Sequence, residues 1–302
     1  MDRKSKIILI SGPTASGKSD LAIQVAKKIR GEIINADSMQ VYKEFRILTA
    51  RPSIKEQKKI KHHLYGFHSV KKNFSTGHWL KLVYKKIKEI QKRKKIPILV
   101  GGTGLYFKAL TEGLVKIPDI PIKYRKKITS LQKKIGQIKF FSKLVSLDPL
   151  IKDKIKPSDT QRSIRAYEVK LYTKKSLIEW FNKTKSKYDK NDFIRIYIDF
   201  PRVDLIQRIS NRTDEMIKKG AIDEVKKFLK MKVKKSNSSN KIIGINEISE
   251  YLKKNSELSK VKEKISIKTR QYAKRQRTWA RGQMKNWQLL KPQDLKIFLK
   301  KI

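Results

Sequence analysis

The sequence predicts an α/β fold: a P-loop-containing parallel sheet with flanking helices and a helical insertion domain. Three observations carry that reading. The stretch LISGPTASGKS at residues 9–19 runs from an apolar segment through a glycine-rich loop into a helical pattern. Further short apolar runs alternate with segments of helical period, as in a sheet joined by crossover helices. Between the third and fourth of these runs the chain turns into a proline-punctuated, basic, helical stretch.

Taken in order, KIILISG is an apolar run ending at Gly12, and SDLAIQVAKKI behind it repeats its apolar positions at helical spacing. GEIINAD reads as a second buried strand. IPILVGG reads as a third, bounded by Pro97 and the pair Gly101–Gly102, and FIRIYIDF at 193–200 as a fourth. KIPDIPIKYRKK opens the altered region. The catalytic core is therefore expected at residues 1–115 and 192–302, with a helical insertion at 116–191. After Asp199 a long helical tail follows, interrupted at 234–241 by KKSNSSNK, which reads as a mobile loop. No internal repeat is visible.

Composition narrows the function. The chain has 302 residues, enough for a substantial core, and no cysteine, which excludes disulfides and thiolate-bound zinc and suits a reducing compartment. IILI is too short for a signal-peptide core and no run reaches membrane-spanning length, so a soluble cytoplasmic protein is expected. Lys+Arg number 75 against 27 Asp+Glu, a formal charge of +48 that argues for a polyanionic partner. Lysine is scattered over the whole chain, so clustered arginines carry more of this argument than the total. Nucleic acid is favoured over a membrane surface because no discrete amphipathic anchor is present.

GPTASGKS matches G-x-x-x-x-G-K-[ST] between a strand and a helix. Gly12 and Gly17 let the backbone around Pro13, Thr14, Ala15 and Ser16 curl so that its N–H groups face an anion. The helix that follows adds its N-terminal dipole, Lys18 a point charge, and Ser19 a hydroxyl for Mg²⁺. Holding phosphate is not transferring it. Phosphoryl-transfer enzymes of this loop type place an Asp at a nearby strand end to help hold the metal, whereas the third strand here ends in Gly101 and Gly102. The first strand-end carboxylate is Asp37 in NADSMQVY. It can serve as a general base beside the phosphate site, or as an ordinary turn residue. GGTGLYF likewise offers backbone donors and the Thr103 hydroxyl, or simply a glycine turn opening a helix.

Together the segments GPTASGKS, NADSMQVY, KIKHHLYGF, VGGTGLYFKAL, DTQRSIRAYEV, RISNRTDEMIKKGAIDEV and TRQYAKRQRTWAR resemble, in order and over nearly the whole chain, the tRNA dimethylallyltransferases, also called tRNA isopentenyltransferases. The resemblance is to the bacterial type without a zinc finger. It implies that the loop holds the pyrophosphate of dimethylallyl pyrophosphate while the five-carbon group moves to the exocyclic N6 of the adenosine 3′ to a tRNA anticodon. Phosphate is then a handle and a leaving group, which explains the missing strand-end aspartate.

The resemblance implies a catalytic set of Asp37, as base, with Lys18, Thr103 and Arg212. Residues 12–19 bind the donor, and Ser19 meets Mg²⁺. Arg208, one turn before Arg212, could instead pair structurally on the same helix face. The resemblance makes Asp37, Ser38, Met39, Gln40 and Thr103 the pocket for a flipped nucleotide. Arg125 and the run Gln161, Arg162, Ser163, Ile164 and Arg165 are implied RNA contacts in the anticodon stem-loop complex. In the tail, Arg270, Lys274, Arg275, Arg277 and Arg281 are assigned to RNA, whereas Tyr272 and Trp279, seven residues apart, are expected to pack into the core. His62, His63, His68 and His78 fit no standard zinc spacing. At IIGINEI, residues 242–248, Ile245 and Asn246 stand where relatives commonly carry an aromatic-basic pair, which puts the RNA contacts of that segment in doubt. Two rivals remain at this stage: a prenyltransferase acting on free adenine nucleotides and a small-molecule kinase. No partner chain is needed to complete the fold, so a monomer is expected.

Overall fold

The structure is a computed structural model and describes residues 6–302. Six strands, β1 (Ile7–Ser11), β2 (Gly31–Asn35), β3 (His62–His63), β4 (Ile96–Gly101), β5 (Phe193–Ile198) and β6 (Gln288–Leu290), form one sheet in the order β3-β2-β4-β1-β5-β6. Every pairing is parallel. All residues of β1 and β2 are buried, as expected for strands covered on both faces. The four strands read from sequence are present. β3 and β6 were not foreseen, because two and three residues are too few to show a period.

The glycine-rich loop joins β1 to α1 (Lys18–Lys28), whose Leu21, Ala22, Val25 and Ala26 face the sheet. After β2 comes a loop, then the short helix α2 (Ile54–Lys59), β3 and α3 (Thr76–Lys92). Trp79, Val83, Ile87 and Ile90 make the buried stripe of α3. Trp79 Nε1 donates to the Asn35 carbonyl at 2.8 Å, and its ring stacks on Tyr106 of α4 (Gly104–Glu112) with centroids 4.1 Å apart. One buried tryptophan thus ties the end of β2 to the segment after β4. At Gly101 a Cβ would lie 2.1 Å from the Ala36 carbonyl, so only glycine lets these two strand ends approach.

The chain divides into two compact units, one running to Thr111 and resuming at Tyr188–Ile302, the other Glu112–Lys187. The second is wholly helical: α5 (Ile122–Ile135), α6 (Gln137–Leu147), α7 (Thr160–Thr173) and α8 (Leu177–Asn182) enclose a core of Phe141, Leu144, Ile151, Ala166, Val169 and Leu177.

In the first unit, β5 leads into α9 (Arg202–Lys218), α10 (Ala221–Lys230), α11 (Ile245–Leu252), α12 (Leu258–Gln283) and α13 (Leu295–Lys301). Leu205, Ile209 and Thr213 of α9 are buried, as are Val261, Ile265, Thr269 and Ala273 of α12, which packs on it. Residues 234–241 are not the mobile loop that their composition suggests. Asn237 Nδ2 and Ser239 Oγ, both buried, donate to the Val70 carbonyl at 3.0 and 3.1 Å. Polar side chains that usually mark a solvated loop here satisfy a buried backbone acceptor.

Candidate active site

The loop after β1 is curled by two residues in the left-handed region, Ala15 (φ 65°) and Gly17 (φ 81°). Lys18 Nζ donates to the Pro13 carbonyl at 3.2 Å, so the ammonium lies against its own loop. Burial pushes Lys18 down to about 8; the Asp37 carboxylate opposes that shift and Arg212 adds to it. Arg212 Nη2 donates to Thr14 Oγ1 at 2.7 Å. Burial lowers Arg212 to about 10, again against the pull of Asp37. Thr14, Lys18, Ser19, Asp37, Arg208 and Arg212 line one cavity of about 870 Å³, with Met39 and Gln40 on its wall. Arg208, for which an intrahelical pair is one alternative, points elsewhere. Its guanidinium lies 4.8 Å over the Phe200 ring, and Nη2 is 3.6 Å from where a Cβ on Gly17 would stand. Phe200 offers an arginine a face to stack on, so Arg208 reaches toward the loop.

Asp37 has the turn role that its position allows, and it also stands at the cavity. Its Oδ1 accepts the Met39 N–H at 2.9 Å, an Asx turn, while its own N–H is held by Asn35 Oδ1 at 2.8 Å. The half-buried carboxylate also lines the cavity, and its charge adds to the effect of burial in raising the phenols of Tyr65, Tyr106 and Tyr272. Thr103 Oγ1 accepts the Ser38 N–H at 3.0 Å and donates to Ser38 Oγ at 3.3 Å, which locks the turn after β2 to the turn after β4. Gln40 spends its amide on the Thr49 and Ala50 carbonyls, at 2.9 and 3.1 Å.

A second cavity, of about 290 Å³, is lined by Gly12, Ser38, Gly102, Thr103, Tyr272, Gln276 and Trp279 among others. Ser38, Tyr272 and Arg275 border both cavities. This corrects the expectation for Tyr272 and Trp279, which line the site rather than join the core. Their seven-residue spacing does put them on one face of α12. At this end of α12 that face looks onto the strand ends, whereas nearer the helix N-terminus the same face carries the buried Val261 and Ile265. Gly104 accommodates the indole, since a Cβ there would lie 2.2 Å from Trp279 Cε3. Gln276, overlooked in the sequence, bridges Thr14 N–H (2.8 Å) and the Gly102 carbonyl (3.0 Å). The available signal was a polar residue midway between two aromatics on one helical face.

The tail cations divide. Arg275 borders the two cavities, but Arg270, Lys274 and Arg277 line a separate groove with Arg202 and Arg281. Arg277 there lies 3.6 Å from Asp199. In the helical unit, buried Glu168 receives Arg125 (2.9 Å) and Arg165 (3.0 Å), and Arg162 meets Asp159 at 3.2 Å. Gln161 and Arg162 are exposed and Ile164 is half-buried. Ser163, expected among the RNA contacts, is fully buried: its hydroxyl donates to the Asp159 carbonyl at 2.7 Å and accepts from Gln137 Nε2 at 3.2 Å. The α7 cap turns Ser163 inward, away from any surface ligand. The histidines are spent locally, His63 on Glu32 (2.7 Å) and His62 on the Ile60 carbonyl (2.6 Å). Among the described residues no three His, Asp or Glu side chains gather to hold a metal.

Residues 40–283 match the IPP transferase family model. Over its full length the chain is also 60% identical to a protein of Pelagibacter ubique named tRNA dimethylallyltransferase, covering 96% of that protein. The chain belongs to the tRNA dimethylallyltransferase family. A tRNA dimethylallyltransferase of Rickettsia massiliae is 44% identical over 94% of this chain and 78% of its own length. Among solved structures, the tRNA isopentenylpyrophosphate transferase of Staphylococcus epidermidis superposes with a TM-score of 0.68 at 34% identity, covering 98% of this chain and 97% of that one. A eukaryotic dimethylallyltransferase, described as acting on tRNA, gives 0.82 at 31% identity, over 95% of this chain and 73% of its own. As a tRNA dimethylallyltransferase the chain has the P-loop parallel sheet read from its sequence. Among the described residues no helix is long and apolar enough to cross a membrane.

Proposed function

We infer that this enzyme transfers a dimethylallyl group from dimethylallyl pyrophosphate to N6 of the adenosine 3′-adjacent to the tRNA anticodon, releasing pyrophosphate. The observation that carries the reading is the convergence of the P-loop with Lys18, Arg208, Arg212 and the Asp37 carboxylate on a single cavity, with Gly101 and Gly102 where a phosphoryl-transfer enzyme would hold its metal. An exocyclic amine is a poor nucleophile because its lone pair is delocalised into the ring. In the proposed step N6 bonds to the first carbon of the allylic chain, the C–O bond to pyrophosphate breaks with its electron pair, and the N6 proton passes to Asp37. Charge grows on the leaving group, and Lys18, Arg212 and the loop amides of residues 12–19 are placed to neutralise it. Thr103 and Ser38 hold the acceptor side of the site.

Mg²⁺ is the proposed ion. The donor set fits it: Thr14, Ser19, Asp20 and Asp37 offer only hard oxygens to the cavity, and Mg²⁺ on a pyrophosphate keeps its waters and needs few protein ligands. Ser19 is the residue proposed to hold it, and the ion would supply charge neutralisation. The helical unit at about residues 116–191, with Arg125, Gln161, Arg162, Ile164 and Arg165, is the proposed grip on the anticodon stem-loop, joined by Arg270, Lys274, Arg275 and Arg277 of α12. The enzyme is proposed to act as a cytoplasmic monomer.

Unmodified tRNA incubated with the protein, Mg²⁺ and dimethylallyl pyrophosphate should gain one dimethylallyl group on adenosine, read by nucleoside mass spectrometry. Product only in a parallel tube of AMP would move the acceptor to free nucleotides, and ATP turnover without prenyl donor would favour a kinase. Because the binding is largely electrostatic, tRNA affinity should fall by about 10³-fold or more between 50 and 200 mM salt if six or more phosphates are contacted. A flat titration would show that the cations at these positions do not meet RNA.

A further inference from the structure

Gln276 sits on the inward face of α12, and its carboxamide is used at both ends. Oε1 accepts the Thr14 backbone N–H at 2.8 Å, and Nε2 donates to the Gly102 carbonyl at 3.0 Å. Tyr272, one turn earlier, lines the same cavity as Gln276 and Thr103. The contact is close: a Cβ on Gly102 would stand 2.0 Å from Nε2. A carboxamide suits a link between a backbone donor on one side and a backbone acceptor on the other, since it carries both kinds of group on one fork whatever the pH.

The two loops joined in this way are the ones a transfer reaction must align. Thr14 belongs to the phosphate loop and also receives Arg212 at 2.7 Å. Gly102 precedes Thr103, which holds the Ser38 N–H at 3.0 Å next to Asp37. We propose that Gln276 is a positioning residue: it ties the loop that carries the pyrophosphate to the turn that carries the acceptor, and so sets the gap between the migrating carbon and the receiving nitrogen. This rests on the prenyl-transfer reading above. Reacting atoms must meet at about 3–3.5 Å, and a misplacement of about 1 Å costs on the order of 10²-fold in rate.

Two variants test it. Gln276→Met keeps the length and approximate volume and removes both bonds. Gln276→Glu keeps the acceptor for Thr14 and loses the donor to Gly102. With dimethylallyl pyrophosphate and unmodified tRNA both saturating, each variant should lower the single-turnover rate by about 10–100-fold. KM for either substrate should stay within about threefold of wild type. Binding of labelled dimethylallyl pyrophosphate without tRNA should be retained, which reports a folded site. Independently of turnover, hydrogen exchange of the Thr14 amide should speed up in Gln276→Met. An unchanged rate, a loss confined to KM, or an unchanged Thr14 exchange would overturn the proposal. So would loss of donor binding together with a drop in Tm, which would make Gln276 a folding residue. Wild-type turnover in the same assay reports the prenyl-transfer reading separately, and the exchange measurement holds whether or not that reading survives.

Discussion

Replacing Asp37 by Asn should lower kcat by about 10²–10⁴-fold, the range over which a positioned proton acceptor contributes. Affinity for tRNA should stay within about threefold. The choice of Asn follows from the geometry. Asp37 Oδ1 caps the Met39 N–H at 2.9 Å, and an asparagine oxygen can keep that bond, so the turn after β2 survives. What Asn cannot do is take a proton from N6. Asp37→Ala removes both functions, so the difference between the two variants measures the turn and the Asn variant alone measures the base. A fully active Asp37→Asn enzyme would reduce Asp37 to its turn role and require another acceptor. The other carboxylates of the cavity, Asp20 and Glu56, would then be the next candidates, since Lys18 and Arg212 are cations.

Lys18→Met should lower kcat/KM for the donor by about 10²–10³-fold, comparable to removing one preorganised donor from a developing anion. The same substitution should raise Tm by about 2–4 °C. The two effects share a cause. Burial depresses Lys18 from 10.5 to about 8, so the folded protein holds that proton less tightly than the unfolded chain does. The folding cost is fully present below about 8 and fades as pH rises toward 10.5, so wild-type stability gains with pH across that window, and Met removes the cost at neutral pH. In function the sign is opposite: donor kcat/KM should fall as pH rises through about 8, when the free enzyme loses its ammonium. Bound pyrophosphate favours the charged form, so the fall in kcat should lie at higher pH. A flat kcat/KM profile between about pH 7 and 9, or a Lys18→Met variant that binds donor normally, would remove Lys18 from the pyrophosphate site. Lys18→Arg is not expected to rescue, because a planar guanidinium cannot replace a compact ammonium packed against its own loop.

The parts of the site that lie next to one another in the chain were legible in the sequence. The glycine-rich motif at residues 12–19 lies between a strand and a helix, all local properties, although the structure puts Ala15 rather than Gly12 in the left-handed region beside Gly17. Asp37 was legible for the same reason, as the first carboxylate past a buried strand. What sequence reading got wrong shares a different character. Residues 234–241 look like a loop until Asn237 and Ser239 meet the Val70 carbonyl, and Ser163 looks like an RNA contact until the α7 cap turns it inward. In both cases the deciding partner cannot be read from local composition.

The sequence by itself determined the strand–loop–helix that cradles phosphate, the parallel order of its longer strands, the interruption by a helical unit and the strongly cationic character, since each depends on short-range pattern or on composition. Only the tertiary structure decided which stretch of α12 meets the strand ends. That choice put Tyr272, Gln276 and Trp279 at the site, drew Arg275 toward it and left Arg270, Lys274 and Arg277 along a separate groove. The physical reason is that a helix period assigns residues to faces, whereas what each stretch of a face meets is set by its neighbours: a hydrophobic cluster around Val261 and Ile265, and Gly102 and Gly104 beside Gln276 and Trp279.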